Sequence, residues 1–156
     1  MPYFDPFSAT FWSSIGIAAL CGGIVGLERQ LRGKPAGIRT SILICLGTTI
    51  FIHLGALAGP GADPSRVLGQ VITGIGFLGA GVIISREGTI TGVTTASVVW
   101  VLAAIGATIG LGHYSGAIAL SLVTVIVLWV MDYLEERVSA TFGRGAHKPS
   151  EGKTPE

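Results

Sequence analysis

The chain has 156 residues, a formal net charge of +1, 49% hydrophobic and 12% charged residues, and 24 glycines, with a mean hydropathy of +0.68. A soluble domain carries about 25% charged residues, so half that value with abundant glycine points to the membrane class, and the length allows one membrane domain. The basic residues are not gathered on a long polar surface, which argues against a nucleic-acid partner.

Residues 1–10 hold two prolines and Asp5 but no base. This does not fit the basic start of a cleavable signal peptide, and the segment reads as an extracytoplasmic N-terminus. An all-α membrane domain of five transmembrane helices is expected over residues 11–133. Its first helix runs from Phe11 to about Leu27 and carries a row of small residues, Ala18, Gly22 and Gly26, over which another helix can approach closely. A short basic loop, Glu28 to Arg39, leads into a second helix from about Ile38 to Leu57, and a Gly59-Pro60-Gly61-Ala62 turn follows. Cys21 and Cys45 lie inside these apolar segments with no Cys or His at ligand spacing, so they read as small packing residues.

The third segment, Val67 to Ser85, is an uncharged run of nineteen residues with five glycines. At ~1.5 Å of rise per residue it spans roughly 28 Å, about one hydrocarbon core, and predicts a membrane-crossing helix. Gly69, Gln70, Thr73, Gly74, Gly76, Ala80 and Gly81 share one arc with Phe77, opposite Leu68, Val71, Ile72, Ile75, Leu78 and Val82. The small arc reads as a packing surface. Gly74-Ile75-Gly76-Phe77-Leu78-Gly79 matches a G-x-G-x-x-G dinucleotide pattern, but no acidic residue stands near the required offset, so the context excludes that reading.

A polar link from Arg86 to Gly92 precedes a fourth helix, about Val93 to Leu111. A tight turn, Gly112 to Gly116, then leads into a fifth helix to about Met131. Residues 134–156 are charged, then rich in Gly, Pro, Ser and Lys, and read as a largely disordered cytoplasmic tail. With the N-terminus outside and the C-terminus inside, Arg29, Arg32, Lys34, Arg39, Arg86, Arg137, Arg144, Lys148 and Lys153 are cytoplasmic and only Arg66 is not, as the positive-inside rule requires.

The candidate functional residues sit at the helix ends. Glu28 and Arg29 read either as a helix end reaching interfacial water or as a functional pair, with Glu28 bound to Arg39 or Arg86, to a cation or to a partner. Lys34 and Pro35 belong to a loop that is either a brace or a docking surface, and Arg39 and Thr40 open the second helix. Asp63-Pro64-Ser65-Arg66 reads as a helix start, with a ligand role for Asp63 and Arg66 as the alternative. Gln70, Thr73, Thr94 and Thr95 read as interhelical polar glue or as a hydrated path, with Thr95 bonded backwards or to the third helix. Trp100, at mid-span, is expected to give its indole N–H to a buried acceptor. A magnesium path wants carboxylate oxygens, and the spans hold none away from their ends. No nucleophile stands with a base, and neither an enzyme nor a cofactor is expected.

Gly26-Leu27-Glu28-Arg29, Lys34-Pro35-Ala36-Gly37-Ile38-Arg39-Thr40, Asp63-Pro64-Ser65-Arg66, Gly74 to Gly81, and Gly92-Val93-Thr94-Thr95-Ala96 with Trp100 occur in one order. Together, over about residues 11–131, they resemble the bacterial MgtC/SapB family. The resemblance implies a multi-pass inner-membrane protein tied to adaptation to low magnesium and, in pathogens, to survival inside host cells. It also implies a regulator of a membrane partner such as the F-type ATP synthase more than a transporter. The best-described members carry a folded C-terminal cytoplasmic domain, where here a short tail is expected. The reading is thus a non-enzymatic membrane factor embedded in the lipid bilayer. It is expected to self-associate as a homo-oligomer through the small faces of helices one and three. The alternative is a small oligomeric transporter of magnesium or another ion.

Overall fold

The computed structural model describes residues 5–57, 64–86 and 89–142. The helices are α1 (Ala9–Leu31), α2 (Ile38–Ala56), α3 (Pro64–Gly81), α4 (Val93–Gly110) and α5 (Tyr114–Phe142), with strands β1 (Ile84–Arg86) and β2 (Thr89–Thr91) between α3 and α4. Asp63, the Gly59 to Ala62 turn and the tail from Gly143 lie outside the described residues. By length and composition α1, α2, α4 and the Tyr114–Glu135 part of α5 are four candidate membrane spans. α3 is not among them, because Arg66, Gln70 and its glycines dilute the apolar residues of its 18 positions.

The third segment departs from expectation at both ends. The helix starts at Pro64 and stops at Gly81, and the residues after it turn into a hairpin with Ile84 opposite Thr91 and Ser85 opposite Ile90. The expected helix to Ser85 and the expected polar link are therefore both corrected. β-Branched Ile84, Thr89, Ile90 and Thr91 favour a pleated strand over a helix. Gly92 makes the turn from β2 into α4 with φ of 90°, and a Cβ there would strike the carbonyl oxygen of Val82. Gly92→Ala is accordingly expected to destabilise by about 2–4 kcal/mol, through left-handed strain and that clash. Its unfolding temperature in detergent, compared with wild type, checks this.

Met1–Val125 form one compact unit and Ile126–Glu156 a second. In the first, α4 is the central helix, burying Val98, Val99, Leu102, Ile105 and Ile109. It lies parallel to α2: Cys45 Sγ donates to Leu102 O at 3.3 Å, and Thr49 Oγ1 donates to Gly106 O at 2.9 Å, one turn further along both helices. α1 and α2 are antiparallel, since Gly22 abuts Ile42 while Gly26 abuts Ile38. α3 touches α4 where Gly79 meets Ala96. Trp100 is 54% exposed, and the expected bond from its indole N–H to a buried acceptor does not occur among the described residues. In the second unit α5 continues as helix to Phe142, past the expected domain end at 133, and Arg137 stacks on Tyr133 at 5.1 Å.

Two helix ends are closed by the same device. Gly33, at φ of 63°, follows α1, and its N–H bonds to Gln30 O at 3.1 Å while that of Lys34 bonds to Arg29 O at 2.9 Å. Gly112, at φ of 83°, does the same for α4, with Gly112 N–H to Ile109 O and His113 N–H to Thr108 O. Both are Schellman caps, which satisfy carbonyls that a helix end leaves free.

Candidate functional site

Four helix ends converge on one side of the first unit: the C-termini of α1 and α3 and the N-termini of α2 and α4. The Schellman cap of α1 turns the chain towards α2, whose N-cap Gly37 offers no side-chain acceptor. Gln30 supplies one instead, its Oε1 accepting from Ile38 N at 3.4 Å. Ser41 Oγ donates back to Ala36 O at 3.2 Å. The last turn of α1 is thereby held against the first turn of α2, and its charged residues are carried into the bundle.

Arg29 is 2% exposed, and its Nη2 donates to Thr95 Oγ1 at 3.1 Å, joining α1 to the first turn of α4. Its Nε finds no hydrogen-bond acceptor among the described residues. The side chain of Glu28, the preceding residue, is 7% exposed. Arg32 Nε approaches its Oε1 at 2.9 Å as an i, i+4 ion pair, but off a hydrogen-bonding line, and both carboxylate oxygens are buried without a hydrogen bond among the described residues. The pairing of Glu28 with Arg39 raised by the sequence is not present among the described residues, where Arg32 takes that place; the side chain of Arg86 is not among those described. Thr95 likewise bonds to α1 and neither backwards nor to α3.

The remaining candidate residues are scattered. Lys34, Pro35, Arg39, Thr40 and Thr94 are exposed at this same end. Arg66, Gln70 and Thr73 are exposed on α3, where Thr73 Oγ1 bonds back to Gly69 O at 3.0 Å. Gln70 and Thr73 stand nine and six residues before Gly79, the residue that abuts Ala96, so roughly 9–14 Å of helix separates them from Thr94 and Thr95. They do not form one polar cluster within a protomer. Of the packing glycines, Gly22 and Gly26 face α2, whereas a Cβ at Gly69, Gly74, Gly76 or Gly81 meets nothing within 4 Å. Among the described residues no group of three His, Cys, Asp or Glu is placed to hold a metal.

The sequence did not single out Gln30, Arg32 or Ser41. Their signal was present: Gln30 and Arg32 flank the α1 stop at Gly33, and Ser41 lies one turn into α2, opposite Gly26.

The node keeps a carboxylate and a guanidinium out of water with hydrogen-bonding atoms unspent. A buried polar group without a partner costs about 1–3 kcal/mol, more when charged, and an i, i+4 ion pair returns only about 0.3–0.5 kcal/mol. The arrangement costs stability, and it can offer two acceptor oxygens and a donor to a group that comes to it.

The model of the MgtC family matches residues 15–137. YhiD of Escherichia coli K12, named as a candidate magnesium transporter, is 43% identical over 139 residues, covering 84% of this chain and 65% of YhiD. The protein MgtC of Brucella abortus is 36% identical over 137 residues, covering 85% of this chain and 56% of its own length. That of Salmonella typhimurium is 40% identical over 119 residues, covering 76% and 50%. The chain thus spans about half to two thirds of the length of these relatives. No solved structure matches.

Proposed function

This chain belongs to the MgtC family, and on that premise we propose that it is a non-enzymatic factor of the bacterial inner membrane, serving adaptation to magnesium limitation by acting on a membrane partner. The observation that carries the reading is the buried Glu28 carboxylate, neither oxygen of which is hydrogen-bonded among the described residues. Ionisable groups held at a membrane edge at a cost to stability are retained for what they do. The partner meets the Glu28 to Arg39 end, where Lys34 and Arg39 are exposed and charges steer the encounter. An F-type ATP synthase fits this description of a partner. In the same proposal α3 crosses the bilayer as a fifth span, the N-terminus is outside and the basic end is cytoplasmic. The open glycines of α3 serve self-association.

Glu28→Gln, nearly isosteric, is expected to abolish growth at low magnesium while the amount of protein in the membrane stays at the wild-type level. Wild-type growth of that variant defeats the proposal.

One observation favours a second reading, ion transport: the name borne by the E. coli relative. Its path would have to be shared between protomers, since Gln70 and Thr73 stand apart from Thr94 and Thr95. Magnesium flux into dye-loaded liposomes, lost in Gln70→Leu or Thr95→Val, would select it over the regulator.

A further inference from the structure

Between α2 and α3 the packing opens into a groove of about 660 Å³ with almost wholly apolar walls. It follows α2 from Thr40 to Phe51 and α3 between Leu78 and Val67. Eleven helical steps make it roughly 16 Å long, close to the depth of one leaflet, half of a ~30 Å hydrocarbon core. It is open along its side, for Leu43 and Phe51 on its rim are 68% and 58% exposed. An empty groove of this kind forfeits dispersion contacts on every wall atom, so in a bilayer it takes an apolar chain.

The charge at its mouths selects which chain. At the Thr40 mouth Arg39 is exposed, and Lys34 is exposed in the loop that leads to it. No acidic residue occurs from Lys34 to Leu57, Glu28 is engaged with Arg32, and among the described residues neither Arg39 nor Lys34 has an ion-pair partner. At the other mouth the single base, Arg66, follows Asp63 by three residues. We propose that the groove binds one anionic phospholipid, its acyl chain between α2 and α3 and its phosphate against Arg39. The inference rests on α3 crossing the bilayer beside α2, as in the proposed function.

The groove can be filled without harm to the fold. Gly47 and Gly74 both line it, and a Cβ at either meets nothing within 4 Å. The test is native mass spectrometry of the full chain released from nanodiscs of equal phosphatidylglycerol and phosphatidylcholine. Wild type is expected to retain one phosphatidylglycerol in preference to phosphatidylcholine. Arg39→Gln should lose about fivefold of that preference, the worth of one basic side chain at an anionic surface. Gly47→Leu should lose retention of either lipid while keeping the wild-type unfolding temperature. Equal retention of the two lipids by wild type, unchanged retention in Gly47→Leu, or a lipid-free dimer in place of the lipid-bearing protomer would each overturn the proposal. Gly74→Cys in proteoliposomes separates its failure from that of the span reading. Full labelling by a water-soluble maleimide defeats both, whereas protection together with equal lipid retention defeats the lipid site alone. The two native cysteines are buried and do not report.

Discussion

Gly26→Val is expected to leave no folded protein in the membrane, and the Gly22→Ala/Gly26→Ala pair to lower the unfolding temperature by roughly 10 °C. A Cβ at Gly26 would stand 2.6 Å from Ile38 Cα and 2.9 Å from Ser41 Cβ, and one at Gly22 would stand 2.7 Å from both Ile42 Cα and Ser41 O. Most of these neighbours are backbone, which cannot swing aside as a side-chain tip can. Alanine gains up to about 1 kcal/mol over glycine in helix propensity, whereas forcing an extra carbon into a filled contact costs about 1–3 kcal/mol. The clash therefore decides the sign. Gly16→Ala and Gly47→Ala provide the control: a Cβ meets nothing within 4 Å at either position, and both are expected to unfold at or slightly above the wild-type temperature. If all four glycines respond alike, the close approach of α1 to α2 is not what the small residues are for.

Arg29→Met is expected to cost about 3–5 kcal/mol, with Glu28→Gln/Arg29→Met regaining most of the loss. Removing the guanidinium takes away the positive charge carried by the residue next in sequence to the 7% exposed Glu28 carboxylate, and leaves the Thr95 hydroxyl without its donor. Removing both charges leaves a polar amide and an apolar chain of similar volume, which such interiors tolerate well. Thr95→Val isolates the hydrogen bond and is expected to cost about 1.5–3 kcal/mol, the range for a bond to a charged group. Unfolding of wild type, Glu28→Gln, Arg29→Met and the double variant in one detergent gives the cycle, and additivity of the two charge substitutions would show that Glu28 and Arg29 do not act as a pair.

The helices were legible in the sequence because uncharged runs of bilayer length have few other readings, and α2 and α4 begin where Gly37 and Gly92 said they would. The hairpin was missed because hydropathy cannot separate a short apolar strand from a helix end. The β-branched residues Ile84, Thr89, Ile90 and Thr91 were the available signal. In α3 the sequence groups the small residues on one arc, but periodicity says only which residues share a face. It could not say that Gly79 would meet Ala96 while Gly69, Gly74, Gly76 and Gly81 stayed open. Around Glu28 the residue types were identified and the pairing was not. Three arginines and one glutamate within twelve positions leave several partners in reach, and the choice depends on how α1 rolls against α2 and α4, which no local pattern encodes.

The α1–α2 hairpin has a bearing on the order in which the protein is made. Its glycine contacts, its Schellman turn and the Gln30 to Ile38 bond all close within the first 57 residues, so the pair can lock as soon as α2 has left the ribosome. The bond from Arg29 to Thr95 spans 66 residues and must wait for α4. During that interval Arg29 stands at the rim of an already inserted hairpin with its eventual acceptor still unsynthesised. The arrival of α4 is thus the step at which its guanidinium is withdrawn from water, and truncations ending before Thr95 should yield a hairpin whose Arg29 end remains open to labelling and proteases.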